Sequence, residues 1–192
     1  GQLMKLRVVP TFEGTNAQPS MSYFRFDPTR LTPTASKDLE LNEPGKWRSN
    51  ISGNGSMETT AGAEGGVHFE VKFTGPGDRW CYPMVPFDPP ADFSQYDGIS
   101  FDFRCAPEDK MSVRLQVTES PASNYLNEAC QGSSEWRTVS CMFRNMGWGS
   151  FSPPDANGKL DTDAIRNLLI GLNTGEDAVW LEVRNVQLVR YW

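Results

Sequence analysis

Arg114, Gln116 and Thr118 recur at every second position of the stretch MSVRLQVTE, residues 111–119, with Val113, Leu115 and Val117 between them. Alternation of this kind puts the polar set on one face of an extended strand and the apolar set on the other. A guanidinium, a carboxamide and a hydroxyl standing in a row off a rigid sheet offer donors and acceptors at fixed spacing, a chemistry suited to reading hydroxyl groups. Trp80, Tyr82 and Met84 alternate in the same way with Cys81, Pro83 and Val85, and Trp148 stands between two glycines with Phe151 nearby. Other side chains give weaker signals. Asp102, Glu119, Glu128 and Glu135 form no recognisable pair on one polar face. The single histidine, His68, has no second histidine with which to hold a metal.

The elements that would position these groups follow from the same period of two. Ile99, Phe101, Phe103 and Cys105 alternate with Ser100, Asp102 and Arg104, and Val67, Phe69, Val71 and Phe73 with His68, Glu70 and Lys72. Each apolar set is expected in a core. Residues 79–87 read as a strand whose prolines place it at an edge or a bulge. Further strands are expected at residues 3–9, 23–26, 47–52, 57–60, 125–130, 135–143 and 168–173. Residues 27–45 read as a surface excursion, and 144–158 as a loop long enough to carry function. Asp161-Thr162-Asp163 is suited to cap a single helical turn. In residues 179–191 the apolar alternation runs to Val183 and resumes out of phase at Val186 and Leu188, which predicts a bulge near Arg184-Asn185. Residues 106–110 make either a hairpin or an arch between sheets; an arch would put Asp102 and Arg104 on the sheet opposite Arg114 and Gln116. About ten short strands with turns between them and no helical pattern give an all-β fold, an antiparallel sandwich of jelly-roll type in two sheets.

The 192 residues suit a single β-sandwich domain, with 1–46 as N-terminal strands and a long loop and 47–192 as its core. A formal net charge of −6 argues against a nucleic-acid partner. No run of about 18 apolar residues offers a membrane span, so no membrane partner is expected. With no signal segment at its start, the chain reads as a processed or excised domain. Cys81, Cys105, Cys130 and Cys141 lack the spacing of a zinc site. They allow one or two disulfides in a secreted domain, and serve equally as four small buried residues.

Several segments occur in a familiar order: Trp47; Gly65-Gly66 before the strand 67–73; Asp92-Phe93-Ser94-Gln95-Tyr96-Asp97-Gly98-Ile99-Ser100-Phe101; Glu135-Trp136-Arg137-Thr138-Val139; and Leu181-Glu182-Val183-Arg184-Asn185-Val186-Gln187-Leu188. This order resembles the jelly-roll carbohydrate-binding modules of the galactose-binding-like superfamily, nearest to the β-glucan-binding modules of bacterial cellulases, and covers residues 47–190. The resemblance implies a non-catalytic module that targets a secreted glycoside hydrolase to plant cell-wall polysaccharide, β-glucan first. It further implies a polysaccharide or oligosaccharide ligand, a catalytic domain in the parent chain, an extracellular bacterial location and a monomeric state. In such modules aromatic rings cover the C–H faces of sugars while polar side chains take the hydroxyls. The positions suited to this are Trp80, Tyr82, Arg114, Gln116, Tyr125, Asn127, Trp148 and Asn173, whereas Trp47 and Trp136 fall at scaffold positions. Plain alternatives exist: Trp80 and Tyr82 as packing under a loop, and Arg114 as the partner of Asp102 or Glu128 in a surface ion pair.

Related modules often carry paired acidic residues on the last strand as ligands of a structural calcium. Arg184-Asn185 fills that place here, and Glu13 alone is not a sufficient set. A structural calcium is therefore disfavoured, and no cofactor is expected to be required. Two other functions suit a jelly roll. A glycoside hydrolase or polysaccharide lyase acting on a β-linked glycan is one; a hydrolase needs two carboxylates about 5 Å or about 6.5–9.5 Å apart. The Glu-x-Asp-x-x-Glu strand motif of jelly-roll glucanases is absent, as is a Gly-x-Ser-x-Gly elbow. A protein-interaction domain of an extracellular assembly is the other, and it would expose an apolar patch in place of a polar, aromatic groove.

Overall fold

Apolar side chains at every second position give β-strands such as 67–73, 98–106 and 111–117 one face to bury, and two sheets close on those faces. The computed structural model describes residues 32–191; the strands expected at 3–9 and 23–26, and Glu13, lie outside them. In chain order the strands are β1 (Ala35–Asp38), β2 (Gly55–Ala61), β3 (Val67–Phe73), β4 (Trp80–Cys81), β5 (Met84–Ala91), β6 (Gly98–Ala106), β7 (Met111–Glu119), β8 (Asn124–Leu126), β9 (Cys130–Gln131), β10 (Arg137–Met142), β11 (Gly147–Trp148), β12 (Ile165–Thr174) and β13 (Ala178–Arg190). The first sheet runs β10-β6-β13-β3-β2, with β1 also on β13. The second runs β11-β8-β7-β12-β4, with β5 also on β12 and β9 on β7. All these pairs are antiparallel.

Between the sheets lie Phe69 and Val71 of β3, Phe101 and Phe103 of β6, Leu115 and Val117 of β7, Leu168, Ile170 and Leu172 of β12, and Leu181 and Val183 of β13. Trp47, assigned to the scaffold, is buried edge-on to Phe69 at 5.2 Å and donates its indole N–H to the Leu41 carbonyl at 2.9 Å. The expected bulge is present. The register of β13 against β6 shifts between Arg184 and Gln187, with Asn185 in the left-handed region at φ 53°. Such a shift lets both Val183 and Val186 face the core.

β6 belongs to the first sheet and β7 to the second, so the segment 107–110 is an arch. Asp102 and Arg104 therefore stand on the sheet opposite Arg114 and Gln116. Three expectations are corrected. Residues 47–52 form a looser strip, with single bridges from Arg48 to Met84 and from Ile51 to Cys81. The strand expected at 125–130 is broken into β8 and β9, because Asn127 turns its own carboxamide into the ladder and accepts from the Leu115 N–H at 2.8 Å. Residues 161–163 make a turn and no helix, with the Phe93 N–H taking the Thr162 carbonyl. The four cysteines are free thiols, three of them buried. Burial pushes the Cys81 thiol up to about 12, so it stays protonated.

Candidate functional site

The outer face of the second sheet carries a groove of about 670 Å³, and the strand registers fix what lines it. Leu126 of β8, Gln116 of β7, Leu169 of β12 and Met84 of β5 stand opposite one another, an apolar bar interrupted by one carboxamide. Asn124, Thr118 and Asn167 make the next row. Beyond the bar, Arg114 faces Gly171, and Asn173 faces Trp80. Tyr82 and Asn50 close the β4 side, and Phe151 rises at the β8 side. A side chain at Gly171 would overlap the Cys81 carbonyl and the Tyr82 backbone. Its absence lets the Tyr82 segment lie close over β12 and brings the ring to Arg114 and Asn173.

Much of this lining is held before any ligand arrives. The Asn124 Oδ1 accepts from Gln116 Nε2 at 3.1 Å and from the Thr118 hydroxyl at 2.6 Å. Asn50 Nδ2 donates to the Tyr82 carbonyl at 3.1 Å. Burial raises the Tyr82 phenol above its usual value, against the opposing pull of nearby Arg114 and the Asn173 side chain, so it stays a neutral donor. Phe151 is 68% exposed. Its loop is nonetheless pinned: the Gly149 N–H donates to the Asn124 carbonyl and the Asn124 N–H to the Ser152 hydroxyl, both at 2.9 Å. A Cβ at Gly149 would meet the Phe151 ring at 2.9 Å and Leu126 at 3.1 Å, so the glycine makes room for the ring.

Of the eight positions picked out in the sequence, the structure brings together Trp80, Tyr82, Arg114, Gln116 and Asn173. Tyr125 pairs with core-facing Val117, is buried, and donates its hydroxyl to Asp155 at 2.5 Å. Asn127 is occupied by the Leu115 N–H. Trp148 pairs with Tyr125, outside the groove, and donates its indole N–H to the Pro153 carbonyl at 3.1 Å, propping the Phe151 loop. Asn50, Asn124, Asn167 and the apolar bar were not picked out. Asn124 lies in a sequence that reads as a turn, and its phase is set only by its pairing with Thr118.

The charged pairs suggested for Arg114 do not form with Asp102. Asp102 instead accepts from Thr138 at 2.7 Å and Asn185 at 2.8 Å and pairs with Arg184 at 3.5 Å, all on the first sheet. On that same face Trp136 lies between Arg104 and Arg184, at 4.7 and 3.8 Å from its ring centre, and donates to Glu64 at 3.0 Å. His68 stacks on Trp180 and meets buried Glu182 at 3.1 Å. Arg184 lies on the last strand, with Glu64 and Asp102 as its ion-pair partners. Among the described residues no group of three or more His, Cys, Asp or Glu side chains could hold a metal ion.

The fold is an antiparallel β-sandwich of two sheets, with the groove on the outer face of the second. The chain is similar to the family 11 carbohydrate-binding module from Clostridium thermocellum in complex with a β-1,3-1,4-mixed-linked tetrasaccharide, with 21% identity, a TM-score of 0.66, and 81% of this chain and 96% of that one covered. It is also similar to a family 30 carbohydrate-binding module, at 11% identity and TM-score 0.51 over 77% of this chain and 78% of that one. A segment of an agarase matches too, at 13% identity and TM-score 0.57, over 82% of this chain and 25% of the agarase. No protein-family model and no curated relative matches the chain by sequence.

Proposed function

We propose that the chain is a non-catalytic module whose groove binds a β-linked polysaccharide, β-glucan first, and holds a secreted glycoside hydrolase of the same parent chain on plant cell-wall material. The observation that carries this reading is the lining itself: three aromatic rings, Trp80, Tyr82 and Phe151, stand around four asparagines, a glutamine, a threonine and one arginine. Rings cover the apolar faces of pyranoses, and fixed amides replace the water that their hydroxyls lose. The likeness to a module in complex with a mixed-linked glucan tetrasaccharide supports the β-glucan choice. Among the described residues no Asp or Glu lines the groove. Hydrolysis by paired carboxylates therefore has no acid or base there. A monomer outside the cell, tethered to its catalytic domain, would raise the local concentration of substrate without chemistry of its own. Affinity electrophoresis against mixed-linkage β-glucan, xylan, mannan and agarose tests the proposal: retardation by at least one is expected, and migration unchanged by all of them would overturn it.

A further inference from the structure

Among the described residues, Arg114 is the single charged side chain of the groove. Three other arginines of the fold are held in ion pairs. Arg79 meets Asp177, Arg104 meets Glu182 and Glu64, and Arg184 meets Glu64 and Asp102. None of the ion pairs among the described residues involves Arg114, and its Nε is buried with no hydrogen-bond partner. The chain has 24 acidic residues to 18 basic ones, yet none of the described acids lines the groove. A guanidinium kept without a counter-ion, in a site otherwise built of neutral amides, leaves a place for an anion.

We infer that the groove prefers a β-linked glycan bearing carboxylates, with a uronate unit set against Arg114. The inference rests on the glycan-binding reading above and narrows it. The planar fork of a guanidinium matches a carboxylate, and such charge-assisted hydrogen bonds are shorter and stronger than those a neutral hydroxyl makes. Neighbouring Tyr82 and Asn173 flank the position and leave the sugar ring its stacking partner and a hydroxyl contact. The negative net charge of the whole chain opposes a dense polyanion, so the preferred ligand carries its carboxylates sparsely.

The test compares one mixed-linkage β-glucan before and after sparse oxidation of its C6 hydroxyls to carboxylates, by isothermal titration calorimetry on the full chain. The oxidised polymer is expected to bind about tenfold more tightly at low salt, with the advantage shrinking as NaCl is raised. Arg114→Gln should bring the ratio of the two affinities to near one, and Arg114→Lys, which keeps the charge but not the fork, should retain some of it. Equal or tighter binding of the neutral glucan by the wild type would overturn the inference and leave glycan binding standing, as would a ratio that survives Arg114→Gln. A sulfated galactan that outbinds its desulfated form, with no gain from the oxidised glucan, would overturn the carboxylate assignment in favour of a sulfate ester. Binding of neither glucan, with no retardation by any polysaccharide of the panel, would instead remove the glycan-binding reading itself. If Arg114→Gln fails to fold, the wild-type ratio and its salt dependence decide.

Discussion

Replacing Phe151 by alanine separates binding from stability more cleanly than any other single change in the groove. The ring is 68% exposed, so about a third of its surface is shielded by the fold. Full burial of a phenylalanine is worth about 3 kcal/mol at most, and the shielded fraction therefore contributes roughly 1 kcal/mol. For a chain of this length that is a fall in Tm of about 2–4 °C. A sugar face laid on the exposed side would cover roughly 50 Å² of ring, worth about 1.3 kcal/mol at about 25 cal/mol/Å². Loss of that contact weakens binding about tenfold. Calorimetry with a mixed-linked β-glucan oligosaccharide measures the second quantity and thermal denaturation the first. Unchanged affinity in a variant of wild-type stability would place the ligand away from Phe151 and refute the groove as drawn. A drop in Tm beyond about 8 °C would show that the loop is a structural support.

Two further perturbations test other regions of the fold. Gly171→Ala drives a methyl into the Cys81 carbonyl and the Tyr82 backbone, so it should cost about 1–3 kcal/mol and also weaken glycan binding by displacing Tyr82; wild-type stability and affinity together would count against the close approach. Glu119 is 2% exposed, and burial, with Asp155 and Asp161 adding to it, raises its pKa against the opposing hydrogen bond from the Asp161 N–H. The folded state then holds the proton more firmly than the unfolded one, a contribution fully present below about pH 4.3, the ordinary glutamate value, and lost as pH rises through the raised one. Glu119→Gln keeps the acceptor without the charge, so the Tm of the variant relative to wild type should be highest near neutrality and fall on acidification. A difference that does not change between pH 3 and pH 8 would refute it.

What the sequence makes legible is phase within long strands. In β12 Leu168 to Leu172 are buried without a break and the strand is marked by its apolar run alone, whereas in β7 the alternation is unbroken from Met111 to Val117 and burial follows it. The stretch around Trp80 and Tyr82 is legible for the same reason, even though the strand breaks at Tyr82. β8 has three residues, too few to fix its own phase, and Asn-Tyr-Leu-Asn can be read either way up. Only its pairing with β7, Asn124 on Thr118 and Leu126 on Gln116, turns Tyr125 inward. That pairing joins residues close in sequence but leaves no mark in composition. Phe151 did carry a signal, an aromatic ring between two serines in a glycine- and proline-rich loop, but its place beside the groove depends on Ser152 and Gly149 docking on β8. The arch between β6 and β7 was undecidable locally, because a polar five-residue connection serves a hairpin and a sheet crossing equally well.

The pairing of β1 with β13 has a mechanical consequence. Ala35 stands opposite Arg190, with the Thr34 N–H on the Arg190 carbonyl, and the four-residue ladder runs inward from there to Asp38 and Gln187. A load drawn through these two points pulls on adjacent partners at the open end of the ladder, so its hydrogen bonds break in succession instead of sharing the strain. β1 peels away first, while β13 is still clasped by β6 and β3. The groove strands β7 and β12 belong to the other sheet and lie outside that line of force. Under tension the fold would thus lengthen on one side, like a strap unwinding, before the grip on the other side is disturbed.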